Sequence, residues 1–153
     1  MESFSIQTHS KEETMELGYK VVNVLPNGQT ITLTGDLGAG KTTFVRGVAE
    51  GLGIKEVVQS PTFNIMKIYL KGAKPLIHID AYRLADIDTD IGLDEYIGYE
   101  TGITVIEWPQ YIEKLIPDNK IELTINNQGG DDRLLTFKCE EKKIMEDIKQ
   151  CLL

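Results

Sequence analysis

The sequence predicts an α/β fold, a three-layer sandwich around a mixed, mostly parallel central sheet with an antiparallel hairpin near the C-terminus. Three observations predict it. Short β-branched or apolar runs interleave with helix-patterned stretches through the first two-thirds of the chain. One strand pattern, Thr30 to Thr34, leads into a Gly-rich turn and then a helical pattern. Two alternating segments, 120–126 and 133–139, flank an Asn-Gln-Gly-Gly turn, the signature of a hairpin. The 153 residues carry no repeat, low-complexity tract or long linker, so residues 1–153 are expected to form a single domain.

Each element has a local cause. Phe4 to Thr8 alternates and reads as a short strand. Ser10 with Glu13 three residues on forms a capping box, which satisfies orphan amides at a helix start. That helix runs to about Val24, gathers Met15, Leu17, Val21, Val22 and Leu25 near one side, and stops at Pro26-Asn27-Gly28. After the Thr30–Thr34 strand, the helical pattern from Thr42 ends at Gly51 and Gly53. Phe63 to Leu70 and Pro75 to Asp80 read as two strands of a possible hairpin. Residues 86–99 are acidic and mixed, fitting one or two short helices. Ile103 to Trp108 reads as a buried strand, with Pro109 placed to open a helix through Leu115. Residues 140–152 close the chain as a helix.

Charge excludes some functions. Sixteen Lys and Arg against twenty-four Asp and Glu leave a net charge of −8, so the chain lacks the cationic footprint of a stand-alone nucleic-acid or membrane-surface binder. A nucleic-acid role would have to come through a partner. Cys139 and Cys151 are too few and too far apart for a zinc site or a Cys-x-x-Cys pair. No apolar run reaches membrane-span length, and the start Met-Glu-Ser-Phe-Ser-Ile has neither region of a signal peptide, which points to the cytoplasm.

The chemistry is concentrated in four short stretches. Gly35-Asp36-Leu37-Gly38-Ala39-Gly40-Lys41-Thr42 satisfies G-x-x-x-x-G-K-[ST], the P-loop signature, and sits between a strand and a helix as that motif requires. Its glycines let backbone amides wrap a phosphate, Lys41 supplies a point charge, and the Thr42 hydroxyl can ligate Mg²⁺. Thr43 follows in the first helical turn. Asp80 ends an apolar strand, where a carboxylate can hold the Mg²⁺ shell or orient water. Glu107 ends a similar strand and has the same two readings; both can equally be turn or cap residues. Ser60-Pro61-Thr62-Phe63 places a hydroxyl about twenty residues after the loop, either sensing phosphate or forming a plain turn. His78, within an apolar strand, reads as a packed core histidine, and Arg83 as either a charge stabiliser in cis or a surface ion-pair partner.

The ordered set GDLGAGKTTF (35–44), SPTF (60–63), HIDAYRL (78–84) and EWP (107–109) resembles the TsaE family across nearly the whole chain. The resemblance implies a P-loop NTPase-like fold that binds ATP and Mg²⁺. It implies the ATPase component of the machinery making threonylcarbamoyladenosine in tRNA, acting with TsaB and TsaD and meeting tRNA only indirectly. By resemblance, Lys41 and Thr42 hold phosphate and metal, Thr62 belongs to a switch-like loop, Asp80 takes part in catalysis and Glu107 is a magnesium ligand. The resemblance also implies that Trp108 lies beside the nucleotide site, with Ser10 and Arg133 near it.

Rivals lose on particular residues. A small-molecule kinase commonly clamps the migrating phosphoryl group with several lid arginines, and this chain has only Arg46, Arg83 and Arg133. Asn119-Lys120-Ile121-Glu122 imitates the guanine-reading N-K-x-D, but with Glu for Asp, and no Asp-x-x-Gly occurs. A nucleotide-gated binding module is a different class of answer, with the acidic stretch Asp86, Asp88, Asp90, Asp94, Glu95 and Glu100 as its partner surface or merely a solvated face.

Overall fold

The computed structural model describes residues 2–36, 38–59, 65–84 and 92–153. Strands β1 (Glu2–Thr8), β2 (Gln29–Thr34), β3 (Met66–Tyr69), β4 (Leu76–Asp80), β5 (Ile103–Glu107), β6 (Ile121–Gly129) and β7 (Asp132–Cys139) form one seven-stranded sheet in the order β1-β7-β6-β2-β5-β4-β3. The central run β6-β2-β5-β4 is parallel. The edge pairs β1-β7, β7-β6 and β4-β3 are antiparallel, so both hairpins read from the sequence are present. Strand β6 runs three residues past its expected end at Asn126, with a register shift at Asn127/Gly129.

Period-two alternation sorts the side chains onto two faces. On one face, Ile31, Leu33, Leu76, Ile103, Val105, Ile121, Leu123 and Ile125 pack under helices α1 (Lys11–Val24), α2 (Lys41–Gly51) and α3 (Lys142–Leu152). Fully buried Phe44 anchors α2 there, a side chain whose removal from water is worth about 1.5–3 kcal/mol. On the other face, Ile77, Ile79 and Ile106 form a smaller core with Ala81, Leu84, Leu93 and Ile112. Its cover is 3₁₀ turns, including 109–115 where the sequence suggested a helix; Ile112, at φ −135°, ψ 34°, interrupts the helical path.

Helix α1 begins as its capping box predicts: the Ser10 hydroxyl accepts from the Glu13 amide at 3.1 Å. The return bond goes one residue further out, from the His9 amide to Glu13 Oε1 at 2.8 Å. Helices α1 and α2 approach backbone to backbone, since a Cβ on Gly47 would stand 1.9 Å from the Met15 carbonyl oxygen. Only glycine allows this approach, which brings the start of α1 beside the start of α2. Cys139 is buried and Cys151 half-buried, both free, and desolvation pushes both thiols above their ordinary range. No helix among the described residues is long and apolar enough to cross a membrane.

Candidate functional site

Strands β2, β5 and β4 end together: Leu33 pairs with Glu107, and Glu107 with Asp80. Ligands of open parallel sheets bind at this carboxyl edge, and the P-loop leaves β2 there to enter α2. The edge opens into a cleft of about 590 Å³ lined by loop residues Gly38 and Gly40, by Lys41, Thr42 and Thr43, and by Asp80, Tyr82, Glu107 and Trp108. Lys11, Thr14, Asp131 and Arg133 close its far wall. Among the described residues, its cations Lys11, Lys41 and Arg133 match its acids Asp80, Glu107 and Asp131 in number, a local balance in a chain of net −8.

The loop is shaped by its own chemistry. The Ala39 amide donates to the Asp36 carbonyl at 3.0 Å, and Gly40 takes φ 101° at the N-cap of α2, a conformation that favours glycine. The cap carries no side-chain hydrogen bond, and an uncapped helix start offers its first amides and its positive dipole end to an anion.

Arg133, at the start of β7, staples the loop from outside. Its Nε donates to the Ala39 carbonyl at 2.9 Å and one terminal nitrogen to Gly38 at 3.2 Å. The other donates to Gly130 at 2.7 Å, Asp132 at 2.9 Å and Asn127 Oδ1 at 3.2 Å. One guanidinium thus ties the β6–β7 hairpin to the phosphate loop.

Lys41 lies at the base, only 6% exposed. Its Nζ is 4.0 Å from Glu107 Oε1 and 4.3 Å from the centre of the Trp108 ring. Trp108 reaches this position by a left-handed backbone turn, φ 56°, at the strand end, a locally strained conformation of the kind found at functional sites. Its ring stacks on Tyr111 and contacts Tyr82. Glu107, 3% exposed, gives its second oxygen to His78 Nε2 at 2.6 Å. Asp80 Oδ1 accepts from the Tyr82 amide at 3.0 Å, holding that carboxylate at the strand end.

The structure therefore brings together Lys41, Thr42, Thr43, Gly38, Gly40, Asp80, Glu107, Trp108 and Arg133. Asp36 and Ala39 shape the loop from outside the cleft lining, and Leu37 and Thr62 lie outside the described residues, as does SPTF as a whole. Ser10 spends its hydroxyl on the helix cap; the residues that α1 presents to the cleft are Lys11 and Thr14. Sequence reasoning missed both, together with Asp131. The capping box was the available signal, since it fixed where the first turn of α1 begins. The near-guanine motif lies elsewhere: Lys120 and Glu122 line a groove on the opposite sheet face. Of the acidic stretch, Asp94, Glu95 and Glu100 are exposed, and Asp86, Asp88 and Asp90 lie outside the described residues.

Chemically, the cleft offers amides and a buried ammonium for a chain of phosphates. Thr42, Asp80 and Glu107 add the hard oxygen donors that a small divalent cation takes. Among the described residues no three His, Cys, Asp or Glu side chains converge into a metal cage. This donor set suits Mg²⁺, which is commonly held by one or two carboxylates together with substrate phosphates.

A family model described as threonylcarbamoyl adenosine biosynthesis protein TsaE matches residues 8–135, a span containing every candidate residue from Ser10 to Arg133. The chain is 43% identical over 137 residues to a tRNA threonylcarbamoyladenosine biosynthesis protein TsaE of Bacillus subtilis, covering 90% of this chain and 86% of that one. It is 37% identical over 131 residues to the protein of the same description from Treponema pallidum, covering 84% and 96%. Among solved structures it is similar to that of Bacillus subtilis YdiB, with a TM-score of 0.83 and 35% identity over 98% of this chain and 94% of the other.

Proposed function

The chain belongs to the TsaE family of tRNA threonylcarbamoyladenosine biosynthesis proteins, and from that premise we propose that it is the Mg²⁺-dependent ATP-binding and ATP-hydrolysing component of that machinery, acting with TsaB and TsaD. One observation carries the reading: a buried lysine at the foot of a phosphate loop, facing a buried carboxylate across 4.0 Å. A charge is rarely buried without a partner, and this pair stands where a polyphosphate would enter.

In this reading the loop amides and Lys41 bind the β- and γ-phosphates, while the Thr42 hydroxyl and the Glu107 carboxylate hold Mg²⁺. When bound, Mg²⁺ neutralises charge on the phosphate oxygens. Asp80 orients the water whose oxygen joins the γ-phosphorus as the bond to ADP breaks. The resemblance adds Thr62 as a member of a switch-like loop, and Trp108 borders the nucleotide.

The cleft is open, and the chain shows no Asp-x-x-Gly and no arginine assigned as a finger, so its constellation supports slow hydrolysis alone. A partner that closes over the nucleotide and carries the tRNA supplies both what the cleft lacks and what a chain of net −8 cannot hold. Adding TsaB and TsaD should raise steady-state ATP turnover at least about 10-fold, about 1.4 kcal/mol of barrier. Lys41→Ala should abolish turnover and the yield of modified tRNA. Unchanged turnover with those proteins, and a yield indifferent to Lys41, would remove the chain from this role.

A further inference from the structure

His78 is a polar side chain in apolar surroundings. It lies in the middle of β4, wholly buried, on the face shared by Leu76, Asp80 and the helices. Residue 78 pairs with Val105, and Glu107 stands two residues further along the same face, a diagonal neighbour within reach of a long side chain. His78 Nε2 and Glu107 Oε2 meet at 2.6 Å with 0% and 4% side-chain exposure. His78 Nδ1 is buried with no hydrogen-bond partner among the described residues. Among the described residues the polar chemistry of the ring is thus directed at Glu107, at the cost of one unmet nitrogen.

The consequence reaches the phosphate loop. Glu107 has two suitors, the imidazole at 2.6 Å and the Lys41 ammonium at 4.0 Å, the latter beyond hydrogen-bond length. In a poorly solvated interior a flexible carboxylate without the imidazole would close on the nearest cation. Lys41 would then be drawn from the Trp108 ring, 4.3 Å away, into a direct ion pair.

We propose that His78 is a positioning residue that holds the Glu107 carboxylate back from Lys41, so that the ammonium stays available for phosphate and Oε1 stays turned to the cleft. This rests on the reading of the cleft as an ATP site. Partners behind a functional carboxylate are commonly worth about 10–100-fold in activity.

Three substitutions of His78, one repeated on a Glu107→Ala background, and the single tryptophan test it. His78→Leu should lower ATP turnover by about 10–100-fold and alter the Trp108 emission of the nucleotide-free chain. His78→Gln, whose amide nitrogen reaches the place of Nε2, should restore most of both, and His78→Asn, whose amide falls short, should not. On a Glu107→Ala background, His78→Leu should cost nothing further, because the group it positions is gone. Should His78→Leu fail to fold, the Gln and Asn pair still decides, since both are buried amides. Equal behaviour of Gln and Asn, parental emission and turnover in His78→Leu, or an additional loss beyond Glu107→Ala would each overturn the proposal. Parental turnover in Lys41→Ala would instead overturn the ATP-site reading, and the nucleotide-free emission of the His78 variants would still report on positioning.

Discussion

Two concave regions among the described residues, the cleft at the carboxyl edge and a groove over one sheet face, use charge in opposite ways. The cleft at the carboxyl edge measures about 590 Å³ and buries the charges at its base, Lys41, Asp80 and Glu107, each 8% exposed or less, while Lys11 and Asp131 at its rim meet water. The groove over the opposite face of β2 and β6 is larger, about 800 Å³, and is lined by Thr32, Thr34, Thr124 and several charged side chains. There Glu113, Lys114, Asp118 and Lys138 are exposed to water. Size would select the groove. Energetics select the cleft, because desolvating an ion is expensive and is sustained only where partners are fixed around it. A solvated charge costs nothing to keep and identifies no site.

Substitutions should expose this contrast, the largest effects coming from the cleft. Glu107→Gln keeps the shape and removes the charge; it should reduce ATP turnover by about 100-fold and raise the Mg²⁺ concentration needed, as loss of a preorganised electrostatic group commonly does. Asp80→Ala should lose turnover with a smaller change in ATP binding, and the opposite pattern, read from titrations of both variants, would exchange the two roles. Arg133→Ala releases the staple on the Gly38 and Ala39 carbonyls. Hydrogen bonds from a charged group contribute about 1.5–3 kcal/mol, so urea unfolding should show a loss of about 2 kcal/mol. Weaker nucleotide binding should accompany it. An Arg133→Ala protein with parental unfolding would mean that the loop holds itself.

The smallest effect belongs to the groove. Glu122→Gln, half-buried there among threonines and lysines, should leave turnover unchanged and shift stability by no more than about 0.5 kcal/mol. A loss of turnover in that variant would make the groove part of the working surface and undo the comparison.

Much of the site was legible because it is local. The P-loop is a contiguous stretch whose glycines, lysine and threonine each have a backbone or charge reason for their place. Asp80 and Glu107 were found because each closes an apolar run, and a strand closing at the same edge as β2 must deliver its last residue there. That the two stand side by side is set by the strand register, and the distance from Glu107 to Lys41 by the tertiary fold. Sequence placed Arg133 beside the nucleotide by resemblance only; its grip on the loop carbonyls depends on β7 lying antiparallel to β6.

The sequence alone determined the alternation of strands and helices, both hairpins, the phosphate loop and the two strand-end acids, because all of these follow from period, turn chemistry and contiguous motif. Tertiary structure decided what approaches across the chain. Gly47 against Met15 sets the distance between α1 and α2, and with it the arrival of Lys11 and Thr14 at the cleft. His78 could be read from sequence only as a packed core residue, since nothing within β4 specifies a partner. It meets Glu107, twenty-nine residues away, because β4 and β5 lie side by side and in register. Periodicity fixes which face a side chain takes; only the pairing of strands fixes which side chain it meets there.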